Sequence, residues 1–299
     1  MAGIVVGVGP EHRGWEAIPY GAALARQLGG QLLLAHVHPR PWNIHNQGDV
    51  DAEWLAFLQQ ESTALLEEAA ALVDPDVPCT LHSHADAGSG KGLGHIASEH
   101  EADLIVIGSA GLEGSGEGSS EPGRSGLHVG TTADHLLHAS EVPVTLVPAG
   151  WHLTAECVAR VTVGWHGGAG TQSAVAEGCA LAAQTGTAVR LLSFVIGPPS
   201  SFAGAEGSAA RLRDQVLARL AGAAGEIRDR YGLAVDAWAS SGETLREAVG
   251  AAPWDPGELF VIGSSGAGAL RRAFLGDASG KILRAVGVPT MTVPRAAAT

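Results

Sequence analysis

Shifted by 157 residues, the chain falls on itself: Ile4–His38 lies over Val161–Val195 without a gap. Val6-Gly7 meets Val163-Gly164, Gly21 meets Gly178, and Ala23-Leu24-Ala25 meets Ala180-Leu181-Ala182. Further on, Leu104–Ser109 corresponds to Leu259–Ser264 at an offset of 155, and Val142–Pro148 to Val288–Pro294 at 146. The nine residues gained by the first copy fall in Leu112–Gly126, whose Gly, Ser and Glu content reads as a flexible surface loop. A period this long excludes a solenoid and means a duplicated domain. The boundaries read as 1–150, with the 112–126 insertion, and 158–299.

Each copy alternates strand and helix. The first opens with an apolar strand, Ile4–Val8, then a helical pattern from Trp15 to Leu28 and a second strand, Leu32–Val37. Over Ala52–Val73, Leu55, Leu58, Leu65, Leu66, Ala69 and Leu72 mark one apolar helical face with glutamates opposite. Val77–His82 predicts a third strand, Leu93–His100 a short helix, Leu104–Ile107 a fourth strand, Thr132–His138 a helix and Val144–Val147 a fifth strand. Strands apolar on both faces and separated by helices require a parallel sheet covered on both sides. Right-handed crossovers make such a fold doubly wound, with ligands at the carboxyl ends of the strands. The expectation is α/β: two tandem doubly wound domains, each with a five-stranded parallel sheet, related by a pseudo-two-fold axis.

Composition narrows the function. A chain of 299 residues with 45% hydrophobic and 16% charged residues is globular. Its formal net charge of −13 opposes sequence-independent binding to nucleic acid or an anionic membrane. Aromatic residues, 5% of the chain, are too few for a single-strand stacking platform. Cys79, Cys157 and Cys179 are odd in number and lack C-x-x-C spacing, so they read as buried free thiols. The N-terminus runs into a strand without a leader, and no apolar run reaches membrane-spanning length. A soluble, cytoplasmic protein is expected.

The segment after the fourth strand carries the functional signal. In the second copy it reads Gly263-Ser264-Ser265-Gly266, nine residues, then Gly276, followed by a helix and the strand Val288–Pro294. This arrangement, twice over nearly the whole chain, resembles the universal stress protein family and its Rossmann-like fold. In that family the motif G-x-x-G, nine residues, then G-S or G-T holds the ribose and phosphates of ATP. Glycines admit phosphate oxygens to the backbone, and the N–H groups opening the next helix donate to them. The resemblance implies a stress-response or regulatory module with no enzymatic activity. Its candidate ligand is ATP with Mg²⁺, or another adenine nucleotide. It also implies an internal pseudo-dimer whose final strands meet, and allows a homodimer. Carried over residue by residue, the site comprises Trp165, His166, Gly263, Ser265, Gly266, Gly276, Asp277 and Ala278 in the second copy. In the first it comprises Val8, Gly9, Gly108, Gly111, Gly130, Thr131 and Thr132.

Departures from the pattern predict weak binding. ATP-binding members carry an Asp just after the first strand; Gly9 and His166 stand there. Asp277 replaces the hydroxyl residue, and a carboxylate ~4 Å from a phosphate charge opposes it by roughly 4 kcal/mol at an effective dielectric near 20. Two readings stand: bound Mg²⁺ offsets the repulsion, or Asp277 caps its own helix and fills the anion site itself. In the first copy eighteen residues separate Gly111 from Gly130, and Thr131 or Thr132 reads equally well as ligand or as N-cap.

Other clusters read more plainly. His36 and His38 share a strand face, as do His82 and His84; their convergence at the ligand edge is conceivable, but solvated or part-buried histidines are the expectation, and no metal site is assigned. Ala85–Gly92 fails the G-x-x-x-x-G-K-[ST] pattern and reads as a turn and helix start, matching Ser241–Thr244 of the second copy. Arg271-Arg272 faces either phosphate or solvent. No nucleophile elbow, zinc-hydrolase signature or carboxylate pair is visible, so no catalytic residue is assigned.

Overall fold

The computed structural model describes residues 2–40, 48–109, 127–153, 157–167, 170–198, 205–264 and 277–294. The segment 112–126, expected to be a loop, lies outside these. Two units emerge: one from the described residues of 1–111 and 129–153, the other from those of 154–299 with Leu127 and His128.

Unit 1 contains β1 (Gly3–Gly7), α1 (Ala17–Leu28), β2 (Gln31–Pro39), α2 (Gly48–Ala70), β3 (Cys79–Asp86), α3 (Ser89–Glu99), β4 (Leu104–Gly108), α4 (Thr131–Ala139) and β5 (Val144–Val147). Its strands run in the order β3-β2-β1-β4-β5, every pair parallel. Ile4, Val5 and Val6 are buried, as are Leu104–Ile107 and Val144–Val147, so the central strands are covered on both faces. That is what their unbroken apolar runs demand.

Unit 2 repeats the plan with β6 (Arg160–Gly164), α5 (Gly170–Thr185), β7 (Ala188–Ile196), α6 (Ala205–Tyr231), β8 (Val235–Gly242), α7 (Leu245–Gly250), β9 (Glu258–Gly263), α8 (Asp277–Leu283) and β10 (Thr290–Val293). Its order is β8-β7-β6-β9-β10, again wholly parallel. The repeat extends to packing. A Cβ on Gly21 would meet Val6 Cγ2 at 2.5 Å, and one on Gly178 would meet Val163 Cγ2 at 2.6 Å. In each unit the first helix therefore lies against the first strand through a glycine.

Among the described residues no helix is long and apolar enough to cross a membrane. None of the three cysteines is in a disulfide, and Cys157 and Cys179 are buried; desolvation pushes the Cys179 thiol up to about 11.

Candidate functional site: a cavity at the strand ends of unit 1

The strand order of unit 1 reverses between β1 and β4, and a crevice opens where their carboxyl ends diverge. It holds a cavity of about 230 Å³. Gly7, Val8 and Gly9 line it from β1, His36 and Val37 from β2, and Ile107 and Gly108 from β4. The first turns of two helices complete it, Ser89 from α3 and Thr131, Thr132 and Ala133 from α4.

These two helix starts are open. Gly88 is the N-cap of α3 and Gly130 that of α4, and neither helix has a side-chain cap bond. Thr131 and Thr132 thus occupy the first two helical positions and do not cap, which corrects their reading as N-caps. The first N–H groups of a helix lack intrahelical partners and carry the positive end of its dipole. Both helices bring such groups to one cavity because Gly90 lets them pack tightly: a Cβ there would stand 2.8 Å from Thr132 O. The one acidic residue in the first turn of α4, Asp134, lies 3.5 Å from His138 one turn on.

Among the described residues the cavity lining contains no carboxylate, and Arg13 is the one permanent cation in it. Arg13 belongs to the loop after β1, whose Pro10–His12 form a 3-10 turn. Glu11 and His12 take φ of 55° and 58°, a conformation costly for residues with a side chain. Contacts hold it in place. Trp15 Nε1 donates to Gly9 O at 2.8 Å, and His12 Nε2 meets Glu68 Oε1 of α2 at 2.8 Å. Gly14, at φ +70°, lies on Gly108, where a Cβ would come within 2.1 Å of Gly14 O. Two backbones meet there with no room for a side chain. His36 Nδ1 bonds Val8 O at 2.8 Å, and burial pushes the imidazole pKa down against that bond, so the ring is neutral at pH 7.

Val8, Gly9, Gly108, Gly130, Thr131 and Thr132 all line this cavity, while Gly111 lies outside the described residues. Arg13 joins them without having been singled out in the sequence; His36 and Ser89 join them too, the one weighed there only as a strand histidine and the other only within the Ala85–Gly92 turn. A side chain at Gly9 would place its Cβ 2.8 Å from Arg13 O, so the loop is built for glycine at the position where the resemblance implies Asp.

In unit 2, Trp165 N donates to Leu192 O at 2.8 Å, His166 is exposed, and Gly263 ends β9. Ser265, Gly266, Arg271, Arg272 and Gly276 lie outside the described residues, and of Asp277 and Ala278 only the backbone, at the start of α8, is described. The counterpart of α3 is closed. Thr244 caps α7, accepting from Glu247 N at 3.2 Å, while Glu247 Oε2 accepts from Glu243 N at 3.0 Å.

The four strand histidines do not converge. In the β2–β3 ladder His36 pairs with Ser83 and His38 with Ala85, whereas His82 pairs with Ala35 and His84 with Val37. Paired residues of parallel strands share a face, so His36 and His38 lie on one side of the sheet and His82 and His84 on the other.

Sequence reasoning also missed a buried ionic cluster in unit 2. Arg190 and Glu258, with side chains 5% and 0% exposed, pair beneath Trp254, and Arg190 donates to Thr162 Oγ1 at 3.1 Å and Pro253 O at 3.0 Å. Desolvation lowers the Arg190 pKa and Glu258 opposes it. Arg190 and Glu258 interrupting apolar strand runs were the available signal.

The sequence pattern described as the universal stress protein family matches residues 2–148 and again 158–294. Universal stress proteins of Mycobacterium tuberculosis and Mycobacterium bovis are each 29% identical over 306 residues, covering 97% of this chain and 99% of theirs. Among solved structures, a universal stress protein from Archaeoglobus fulgidus superposes with a TM-score of 0.66 at 17% identity, covering 98% of each chain. A protein of unknown function from Pseudomonas aeruginosa does so at 0.55 and 14%, covering 98% of this chain and 92% of its own.

Proposed function

The chain belongs to the universal stress protein family, and from that premise we propose that it is a non-enzymatic stress-response module whose unit 1 takes an adenine nucleotide at the β1–β4 crevice. The observation that carries this reading is the pair of uncapped helix starts, α3 and α4, facing one cavity whose described lining holds no carboxylate. Phosphate oxygens replace the missing caps, with the N–H groups of the first turns as donors. Arg13, which pairs with the exposed Glu11 at 3.2 Å, brings a guanidinium to the rim, and Gly9, Gly108 and Gly130 let the ligand reach the backbone.

Binding is weak. Without an aspartate after β1, the adenosine end loses one polar anchor, and the net charge of −13 acts against a polyanion. Unit 2 contributes less, since Thr244 and Glu247 occupy the donors that unit 1 leaves open.

The test is the purified full-length chain, denatured and its released small molecules identified, followed by calorimetric titration of the nucleotide-free protein with ATP and Mg²⁺. Saturable binding in the micromolar range, lowered by Arg13→Ala, is expected. Absence of both retained nucleotide and titratable heat would leave the crevice as an assembly feature only.

A further inference from the structure

The carboxyl end of β3 carries groups that the nucleotide cavity does not use. His84 and Asp86 are two residues apart on this edge strand and share a face. Helix α3 covers that face closely because Gly92 has no side chain: a Cβ there would stand 2.6 Å from Val37 Cγ1 and 3.2 Å from Asp86 Cβ. Three residues on, the same side of α3 carries His95. Its Nδ1 lies 3.0 Å from Asp86 Oδ2, and His84 Nε2 lies 3.8 Å from that same oxygen. The three donor atoms are all within 4.8 Å of one another.

Two orphaned atoms point to a ligand. The Asp86 side chain is wholly buried, and Ala87 N donates to its Oδ1 at 2.6 Å, which fixes the carboxylate. Its Oδ2 has no hydrogen-bond partner, nor has the buried Nε2 of His84. A buried carboxylate oxygen and a buried ring nitrogen without aligned partners are costly, and the contact of that oxygen with His95 Nδ1 at 3.0 Å leaves His84 Nε2 unsatisfied; a cation between the three satisfies them together, with Nε2 as the accepting nitrogen. Arg40 Nη2, 3.6 Å from Oδ2, and Lys91 Nζ, 3.9 Å from Oδ1, are beyond hydrogen-bonding range on half-exposed side chains. They temper the charge without filling the gap.

We propose that His84, Asp86 and His95 form a binding site for a divalent transition-metal ion of the zinc type. Ligand bonds of about 2.0–2.2 Å hold neighbouring donors roughly 3–3.5 Å apart; the His95–Asp86 separation of 3.0 Å already fits, and small side-chain rotations of His84 and of the half-exposed His95 bring in the other two. Two imidazoles with one carboxylate favour zinc, cobalt or nickel over magnesium or calcium. Three protein ligands leave a position for water. The Asp86–Ala87 bond is the kind of outer contact that orients a metal-bound carboxylate. Unit 2 has Ser240, Gly242 and Ala251 at the matching positions and lacks the donors. A neighbouring trio, His82, Glu99 and His100, has two exposed members and no orphaned buried atom, and serves as the control.

The experiment titrates the full-length protein with Co²⁺ and Zn²⁺, following visible absorption and heat, with circular dichroism confirming that each variant is folded. One ion per chain is expected. His95→Ala, which removes a half-exposed group, weakens binding by at least about tenfold, as does Asp86→Asn. His100→Ala leaves it unchanged. Arg40→Gln, which removes a competing cation, tightens binding on the order of tenfold. No saturable binding by the native protein overturns the site, and so does loss through His100→Ala with His95→Ala silent. Unaltered affinity in a folded Asp86→Asn variant has the same consequence.

Discussion

Single residues decide whether each copy of the duplicated domain is open or closed to an anion. Thr131 occupies the first position of α4, and its counterpart at the start of α8 is Asp277. Thr131→Asp therefore gives unit 1 the residue of unit 2. Its carboxylate favours the helix dipole by about 0.3–1 kcal/mol but opposes a phosphate ~4 Å away by roughly 4 kcal/mol at an effective dielectric near 20. The expected outcome is a higher melting temperature together with ATP affinity lowered tenfold or more, read by scanning calorimetry and titration. Unaltered ATP affinity would place the nucleotide elsewhere. Glu258 offers a test of the buried cluster. Glu258→Gln leaves the Arg190 guanidinium, 5% exposed, without its counter-charge, and is expected to cost about 3–5 kcal/mol in urea denaturation. The double change Arg190→Leu with Glu258→Leu removes both charges and should recover most of that loss. If the double variant is as unstable as the single one, packing rather than charge is what the cluster supplies.

At the scale of the element, glycine sets how closely helices lie on the sheet. Gly21→Ala and Gly178→Ala each force a methyl group to within about 2.5 Å of a valine in the first strand of its unit. Helix propensity favours alanine by about 1 kcal/mol, yet overpacking costs roughly 1–3 kcal/mol. Equal, net destabilisation of both variants is expected by chemical denaturation, with Val6→Ala partly restoring the first. The same glycines explain what sequence could and could not convey. The presence of all five strands of unit 1 was legible, because apolar runs bounded by helical patterns leave little choice. The start of α3 was less exact: the helix was expected over Leu93–His100, with Ala85–Gly92 as a turn and helix start, and it begins at Ser89 because packing against Thr132 and Val37 outweighs the low propensity of its glycines. β3 continues past His82 to Asp86 as an edge strand with polar residues, which periodicity discounts. The glycine-spaced residues of the crevice were readable from their strand–loop–helix setting. Arg13 and the uncapped state of two helices were not, since both depend on backbone geometry far apart in sequence.

The whole molecule holds two copies of one plan with unlike equipment. Unit 1 has open helix starts and the His84, Asp86, His95 trio; unit 2 has a capped α7 and a buried Arg190–Glu258 pair. Calorimetry should accordingly find one nucleotide per chain, abolished by the Thr131→Asp change; a stoichiometry of two would mean that unit 2 binds despite its cap. The strand order bears on synthesis as well. In each unit the first strand is central: β1 pairs with β2 on one side and β4 on the other, as β6 does with β7 and β9. A ribosome adding about 5–20 residues per second needs roughly 5–20 s to pass from β1 to β4. During that interval one edge of this apolar strand has no partner, an invitation to pair with a neighbouring nascent chain. The delay recurs between β6 and β9, so each polypeptide passes twice through a window in which a chaperone that covers bare strand edges would raise its yield.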